Sequence, residues 1–464
     1  MNIKETKEEI INTVKAYSLL DENGNVLIAR NRQRPILIMG APGLGKTAIM
    51  EQIANEMGIG LVTYNMTHHT RQSALGLPVV SEKTYGDKNV KVTEYTMSEI
   101  IASIYNEMEE KNTDRGILFL DEINCVSETM SPIVLQLLQN KMFGRISVPD
   151  GWVIVCAGNP EEYNKAVKEF DMVTLDRVRQ IWVQPDYKIW REYAVNNGID
   201  GSVNSYLNIK SENFYKAELN IDGMSFVTAR GWEDLSDCIK AYTKLGIEVT
   251  EETVKEYITD DQIAADFCNF YLLYKRYEKI FDIEKMLSGE YVKDDYTNIP
   301  FDGKVSLIGI IISYLNKDFK ESEKMTKVQD GLFKFINEAA EGVAVADMNP
   351  EDYFERIAYS IFREWYSKSV NIEELKAEFF ERNEEVESFN DGLKDKLDKF
   401  YGFIEDVYGK AEEITLFTTE LAAGRSGMYF ITEHNYEKFF EYNRKLLNSD
   451  FNEELDIMSA LTEE

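Results

Sequence analysis

Residues 35–47 read "PILIMGAPGLGKT", and this stretch decides how the first half of the chain folds. Its first five residues are an apolar run of strand length. The eight residues that follow match the pattern G-x-x-x-x-G-K-[ST], known as the P-loop. Glycines in this pattern let the backbone turn tightly and direct N–H groups at phosphate oxygens, while Lys46 supplies a positive charge and Thr47 a hydroxyl suited to Mg²⁺. The stretch therefore predicts a phosphate-binding loop at the end of a strand.

The sequence after this loop favours phosphate binding over the alternative, a chance glycine-rich turn. Apolar residues at Ile49, Ile53 and Met57 have helical spacing, so a strand precedes the loop and a helix follows it. The N-terminal dipole of such a helix adds to the attraction for phosphate. The eight residues expected to contact the phosphates of a nucleotide are Gly40, Ala41, Pro42, Gly43, Leu44, Gly45, Lys46 and Thr47.

Four more apolar runs of strand length follow within the first 185 residues. They are Leu61–Asn65, Ile117–Leu120, Trp152–Ala157 and Val178–Val183. Helix-like or loop sequence separates each run from the next, which is the pattern of a parallel sheet with helical crossovers. Two further segments, residues 78–96 and 142–152, carry turn signals between extended halves and are predicted to be hairpins.

Two acidic residues end the third of the five predicted strands, in "GILFLDEIN" (residues 116–124). Ligand sites of open α/β sheets lie at the carboxyl ends of the strands, so Asp121 and Glu122 are placed where a nucleotide would bind. Asp121 is suited to hold Mg²⁺ through water, and Glu122 to polarise an attacking water. A surface loop would be the simpler explanation of such a pair alone. Its position downstream of a P-loop favours the catalytic interpretation.

Asn159 ends the next strand, in "WVIVCAGNP". A neutral amide at that edge is able to position the attacking water or to sense the γ-phosphate. Taken alone, the Asn-Pro pair is more simply a turn. In order with the P-loop and the acidic pair, the sensing role is favoured.

Composition limits the partners and the compartment. Eighty-two acidic against fifty-one basic residues give a formal net charge of −31, which disfavours nucleic acid and anionic membrane surfaces. The N-terminus lacks the apolar core of a signal peptide, and no membrane-spanning apolar segment is evident, so a cytoplasmic protein is expected. The four cysteines lack metal-ligand spacing and are interpreted as reduced core residues: Cys125, Cys156, Cys238 and Cys268.

Beyond residue 186 the strand signals fade and helical spacing takes over. The clearest apolar series is Val386, Phe389, Leu393, Leu397, Phe400 and Ile404. We therefore expect an α/β nucleotide-binding core over residues 1–185 and mostly helical structure beyond it, and the role of the C-terminal 200 residues is not indicated by the sequence.

The ordered set of motifs resembles the AAA+ ATPases, and within them a MoxR-type member. The resembling stretches are "LIMGAPGLGKTAIMEQIA", "QSALGLPVV", "GILFLDEINCVSETMSPIVLQLLQNKMFGRISVPDGWVIVCAGNP", "TLDRVRQIWVQPD" and "FVTARGWEDLSD". They span roughly residues 33–240, and residues 260–464 match no motif of this kind. The resemblance implies a five-stranded parallel sheet in the order 5-1-4-3-2, followed by a helical lid over 186–262 and a helical C-terminal extension over 263–464.

The resemblance also implies roles for single residues. Gly40–Thr47 correspond to Walker A, Asp121 and Glu122 to Walker B, and Asn159 to the first sensor. Arg230 of "TARGW" falls at the second sensor, although a charge near a helix start is the plain alternative. Asn65 corresponds to the polar residue that in many AAA+ proteins restrains the catalytic glutamate, and a strand-end turn residue explains it equally well.

An arginine finger, which completes the site of a neighbouring subunit, is implied just before the fifth strand. Arg177 occupies that place, and Arg179, inside the strand, is the alternate finger or a salt-bridged structural residue. MoxR-type sequences usually have Arg-Phe here, whereas this chain has Arg177-Val178, which keeps the apolar character.

The function implied is hydrolysis of MgATP in a ring, usually a hexamer, that remodels or assembles a partner protein. Relatives often work with a protein that carries a von Willebrand factor A domain. The alternatives are a nucleic-acid-associated motor or restriction-type NTPase subunit, and a nucleotide-gated scaffold with negligible turnover. His68 and His69 suggest a metal site, but no cysteine or acidic partner has ligand spacing, so a loop facing a pore or partner is expected instead.

Overall fold

The computed structural model describes residues 1–68, 70–144, 146–163, 167, 170–220, 223–342, 344–365, 371–409 and 412–444. Among these residues the strands are β1 (Ile36–Gly40), β2 (Gly60–Asn65), β3 (Pro78–Tyr85), β4 (Lys88–Tyr95), β5 (Gly116–Asp121), β6 (Met142–Phe143), β7 (Ile146–Ser147), β8 (Trp152–Gly158), β9 (Arg179–Val183), β10 (Lys216–Asn220) and β11 (Gly223–Val227).

Helices outnumber strands in the described chain, and most of them lie after residue 186. They are α1 (Ile3–Tyr17), α2 (Ala48–Met57), α3 (Arg71–Leu75), α4 (Glu99–Glu110), α5 (Ser131–Asn140), α6 (Met172–Leu175), α7 (Tyr187–Asn196), α8 (Gly201–Ile209), α9 (Ala229–Leu245), α10 (Glu251–Lys255), α11 (Asp261–Ile280), α12 (Ile283–Ser288), α13 (Asp294–Thr297), α14 (Phe301–Ala340), α15 (Arg356–Trp365), α16 (Ile372–Tyr408), α17 (Glu412–Ala423) and α18 (Arg425–Glu433).

These elements form two compact units. The first comprises Met1–Trp190, Phe214–Asp234 and Tyr257–Thr259, and the second comprises the described residues of 191–213, 235–256 and 260–464. The first unit contains the sheet, and the second is helical, as expected for the C-terminal region.

A five-stranded parallel sheet forms the centre of the first unit, in the order β2-β5-β8-β1-β9. Numbered among these five strands alone, the order reads 2-3-4-1-5, which is the expected 5-1-4-3-2 taken from the opposite edge. The predicted hairpins are also present, as β3 with β4 and β6 with β7. The hairpin of β10 and β11 was not predicted, because strand signals weaken after residue 186.

Alternation along the buried strands divides the core of this unit into two layers. In β1, Ile36 and Ile38 face the layer that contains α1 and α2, and Leu37 and Met39 face the layer of α4 and α5. Both faces of the sheet are therefore covered, which explains why its three central strands, β1, β5 and β8, are buried along almost their whole length. Each fully buried aliphatic side chain contributes about 1.5–3 kcal/mol to stability.

The second unit is organised around α14, a helix of 40 residues. It packs against α8, α11, α15, α16, α17 and α18. Five of the six apolar residues of the series that predicted α16 are buried and Phe389 is half-buried, so that helical prediction is confirmed. The helix α14 is therefore the packing partner that these helices have in common.

None of the four cysteines, all of which the structure describes, forms a disulfide, and the expected core placement holds for only two of them. Cys156 and Cys268 are buried, whereas Cys125 and Cys238 are half-buried. Within the described chain, we find no helix with the length and apolarity that crossing a bilayer requires.

Candidate active site

The carboxyl ends of neighbouring strands bring the predicted site residues to one edge of the sheet. In the β2–β5 ladder Asn65 lies opposite Asp121, so Glu122 is the next residue beyond that pair. In the β1–β8 ladder Met39 lies opposite Gly158, which places the start of the P-loop beside Asn159. Strand register alone therefore gathers residues that lie far apart in the sequence.

The P-loop has the backbone geometry that its glycines predict. Gly43 and Gly45 have φ angles of +75° and +83°, a region that favours glycine. At Gly40 an added Cβ would lie 2.8 Å from the carbonyl oxygen of Val183 on β9, so that strand pairing also requires glycine. The loop ends at α2, whose first residue follows Thr47.

Lys46 is buried and its ammonium group is surrounded by neutral oxygens. It donates to the carbonyl oxygens of Gly40 (2.7 Å) and Ala41 (2.8 Å), and to Oδ1 of Asn159 (2.9 Å). Burial lowers the pKa of Lys46 to about 8; the Asp121 carboxylate opposes this effect, and the positive charge of Arg230 adds to it. A buried cation whose hydrogen-bond acceptors are neutral is a favourable site for an anion such as phosphate.

Thr47 and Asp121 fit the expected Mg²⁺ site. The Thr47 hydroxyl donates to Oδ2 of Asp121 at 2.9 Å. The two side-chain oxygens lie close enough together to hold one hydrated Mg²⁺, with the Thr47 hydroxyl as a ligand and the Asp121 carboxylate acting through water. Magnesium is usually held by one or two protein groups together with substrate phosphates and water, so a larger cluster of acidic residues is not required.

The histidine pair does not support a metal site in the described chain. His68 lies in a 3₁₀ turn, Met66–His68, after the end of β2, and His69 lies outside the described residues. Among the residues that the structure describes, no group of three or more His, Cys, Asp or Glu is arranged to hold a metal ion.

Glu122 is held by two polar side chains from the end of β2. Asn65 Nδ2 donates to Oε2 of Glu122 at 3.0 Å, and the Thr67 hydroxyl lies 3.3 Å from the same oxygen. Thr67 also donates to Oδ1 of Asn65 at 2.6 Å, so the three side chains form one network. Glu122 has φ +54°, a strained conformation for a residue with a side chain. Thr67 was not predicted from the sequence, because it follows the strand by two residues and carries no motif.

Asn159 is half-buried and touches the site through both its side chain and its backbone. Its Oδ1 accepts from Lys46, and its carbonyl oxygen accepts from Nδ2 of Asn124 at 2.8 Å. Asn124 was also not predicted as a site residue, although it belongs to the quoted "DEIN".

The start of α9 lies against the P-loop within the first unit. An added Cβ at Gly43 would lie 2.8 Å from Cβ of Thr228, whose Oγ1 accepts from the backbone N–H of Gly231 at 3.0 Å. Thr228 thus caps the helix, a role that a threonine just before a helix suggests. Arg230, in the first turn, is exposed, and its charge acts on Lys46. Tyr215 adds a hydrogen bond from its hydroxyl to the carbonyl oxygen of Pro42, at 3.1 Å.

The two arginines near β9 have different environments. Arg179 is held within the chain: its Nη1 donates to the Thr13 hydroxyl at 2.7 Å, and its guanidinium forms an ion pair with Glu9. Arg177 lies between α6 and β9, is exposed, and has no ion-pair partner among the described residues. The structure therefore brings Lys46, Thr47, Asp121, Glu122 and Asn159 together, and it leaves Arg177 on the surface.

The sheet and this edge together define a P-loop nucleotide-binding domain. Residues 36–176 match the sequence model of the family described as "ATPase family associated with various cellular activities (AAA)". This part of the chain is therefore an AAA ATPase family domain. No curated protein matches the chain. Among solved structures, a mutant of RuvB from Thermotoga maritima is similar at 15% identity over 55% of this chain and 68% of that chain, with a TM-score of 0.32, which is too low to support an argument.

Proposed function

We propose that this protein hydrolyses MgATP to ADP and phosphate. The observation that carries the proposal is the convergence of Lys46, Thr47, Asp121, Glu122 and Asn159 at one sheet edge, inside an AAA family domain. Phosphoryl transfer depends mainly on positioning and on charge stabilisation, and this edge offers groups for both.

Each of these side chains has one task in the proposed reaction. A water oxygen forms a bond to the γ-phosphorus while the bond from that phosphorus to the β–γ bridging oxygen breaks, and Glu122 accepts the proton of the water. Lys46 stabilises the negative charge of the β- and γ-phosphates, and Asn159 orients the water or the γ-phosphate. Mg²⁺, held by Thr47 and Asp121, neutralises phosphate charge when it is bound.

Two arginines are proposed to complete the site. Arg230 is supported as the second sensor by its position on the helix that touches the P-loop and by its effect on Lys46. Arg177 is proposed to reach the γ-phosphate of a neighbouring subunit. Its guanidinium is exposed and has no ion-pair partner among the described residues, which supports that role. The protein then works as a ring, for which the sequence resemblance suggests a hexamer.

The work of the ring is proposed to be MoxR-like remodelling or assembly of another protein, with a von Willebrand factor A domain protein as the candidate partner. Support comes from the sequence resemblance, and the exposed apolar side chains of the β3–β4 hairpin, such as Val79 (49%) and Val80 (66%), offer a surface for protein contact. The net charge of −31 counts against the alternative, a nucleic-acid motor.

The test is phosphate release from ATP by the purified full-length protein with Mg²⁺. We expect steady turnover by the wild type, and a loss of about 10²–10⁴-fold for Glu122→Gln with ATP binding retained. Lys46→Ala should lose binding as well. The matched control is Glu109→Gln, an exposed glutamate on α4 without an ion pair among the described residues. Wild-type protein that binds ATP and releases no phosphate would contradict the proposal.

A further inference from the structure

We propose that Asn124 is a positioning residue for ATP hydrolysis, which fixes the backbone of Asn159 so that the Asn159 side chain reaches Lys46. This inference rests on the proposed function of the site. Asn124 itself touches none of the groups assigned to phosphate, Mg²⁺ or water, so it acts through its neighbour.

The contacts of Asn124 join the segment after β5 to the end of β8. Its Nδ2 donates to the carbonyl oxygen of Asn159 at 2.8 Å, and the backbone N–H of Ile123 donates to the carbonyl oxygen of Ala157 at 3.0 Å. The side chain is 3% exposed, so this hydrogen bond is shielded from water. The segment that carries Glu122 and the residue that contacts Lys46 are therefore tied together.

The backbone at Gly158 packs closely against the side-chain amide of Asn124. A Cβ at position 158 would lie 2.6 Å from Oδ1, 2.9 Å from Cγ and 3.1 Å from Nδ2 of Asn124. The φ angle of Gly158 is not in the left-handed region, so backbone conformation does not explain the glycine. Close approach of the Asn124 side chain does explain it.

Among the described residues, the Asn124 amide forms a hydrogen bond through its nitrogen but none through its oxygen. Oδ1 is buried and has no hydrogen-bond partner among the described residues. The contact of Nδ2 with a carbonyl oxygen fixes the orientation of the amide, because only the amide nitrogen donates. An orphaned buried acceptor lowers stability, so an apolar side chain of similar size would be the better choice for packing alone. The hydrogen bond to the carbonyl oxygen of Asn159 therefore explains why residue 124 is an asparagine.

The resulting chain of contacts runs from Asn124 to Asn159 to Lys46. The Nδ2 of Asn124 donates a hydrogen bond to the carbonyl oxygen of Asn159, and the Asn159 side chain accepts one from the Lys46 ammonium at 2.9 Å. Loss of the first contact frees the backbone of Asn159, so that the Asn159 amide is no longer held in one place. Small displacements of positioning groups reduce rate more than affinity when binding is dominated by other contacts.

The test is a double-mutant cycle on ATP turnover with Asn124→Leu and Asn159→Ala. In the wild-type background Asn124→Leu should lower kcat about ten- to a hundredfold and leave KM within about threefold, with no loss of thermal stability beyond a few degrees. In the Asn159→Ala background the same substitution should change kcat less than about twofold, because the side chain that Asn124 positions is absent. Equal losses in both backgrounds would overturn the proposal.

A second pair of variants keeps the test informative should Asn124→Leu fold poorly. Gly158→Ala places a methyl against the Asn124 amide, so kcat should fall, whereas Gly392→Ala, where an added Cβ meets no atom within 4 Å, should not change it. The double variant Gly158→Ala with Asn124→Ala should have a kcat no lower than that of Asn124→Ala alone. A wild type without turnover contradicts the proposed function, whereas an active wild type with additive or silent Asn124 variants contradicts only this inference.

Discussion

Two buried lysines show how the same residue type can serve different ends. Lys46 and Lys141 are 8% and 6% exposed, and burial lowers the pKa of each to about 8. Lys46 lies in a loop built for anions. Lys141 instead follows α5 with φ +54°, donates to Oε1 of Gln33 at 3.1 Å and lies 5.8 Å from the centre of the Tyr17 ring. Only Lys46 has a functional reason for its burial.

Lys141 gives a prediction about stability and pH. Its folded pKa of about 8 lies below the unfolded value of 10.5, chiefly through burial and also through nearby Arg30, with Asp150 opposing. Below pH 8 both states are protonated and the full cost of burying the charge, about 3 kcal/mol, is present. Between pH 8 and 10.5 the unfolded state binds more protons, so stability rises with pH. The Lys141→Met variant should therefore have a larger free energy of unfolding than the wild type. The difference should be greatest at pH 7 and should shrink toward pH 10.

Urea unfolding at pH 7, 8, 9 and 10 measures that gap. Lys188→Met is the matched control, because Lys188 is exposed and has no ion pair among the described residues. Its difference from the wild type should not depend on pH. A constant gap for Lys141→Met across the series would refute the assignment.

Asn65 gives a prediction about the resting rate. Its amide and the Thr67 hydroxyl occupy Oε2 of Glu122, the carboxylate proposed to accept the proton of water. Removing the amide frees the carboxylate, so Asn65→Ala should raise the basal kcat for ATP several-fold. Thr67→Val, which removes the weaker contact and keeps the shape of the side chain, should have a smaller effect in the same direction. A lower rate for Asn65→Ala would show that Asn65 positions Glu122 for catalysis rather than restraining it.

At the scale of elements, the local sequence pattern predicts the strands but not the contacts between segments far apart in the sequence. The five sheet strands were predicted to within one or two residues, because a buried parallel strand is apolar on both faces and its ends are marked by Gly, Asn or Asp. The same rule gave Asp121 and Asn159, since strand ends share one edge. Thr67 and Asn124 were missed because their roles depend on register and on close approach between segments far apart in sequence. The contact of Thr228 with Gly43 was missed for the same reason, although its role as a helix cap is a local signal.

The contact between the P-loop and α9 gives a prediction at this scale. Gly43→Ala introduces both a strained φ of +75° and a methyl 2.8 Å from Cβ of Thr228. Gly24→Ala introduces a similar φ strain, at +81°, with no atom within 4 Å. We expect Gly24→Ala to lower the free energy of unfolding by about 1–2 kcal/mol. We expect Gly43→Ala to lower it clearly more and also to weaken the binding of ATP. Urea unfolding without nucleotide and binding of a fluorescent ATP analogue measure the two effects; equal costs would mean that α9 is not held against the loop.

At the scale of the molecule, the sequence indicated a helical C-terminal region but not its organisation. Helical spacing in residues 386–404 reports which face of α16 is buried, yet it carries no information about which helix covers that face. The structure shows α14 as the common partner of six helices and leaves a cavity of about 250 Å³ in that unit, lined partly by α8, α14 and α17. Neither feature follows from local periodicity, because both depend on how distant segments pack.

The proposed ring gives the last prediction, which concerns how subunits share a site. Arg177→Ala should bind ATP normally and lose about 10³–10⁵-fold in turnover, since an arginine finger acts on charge that develops in the transition state. Arg179→Ala instead removes contacts with Thr13 and Glu9, so it should lower thermal stability and affect turnover less. Mixing Arg177→Ala with Glu122→Gln should restore activity, because some interfaces then pair an intact Glu122 with an intact Arg177. Activity that stays absent at every mixing ratio, with mixed assemblies verified by size, would show that Arg177 acts within its own chain.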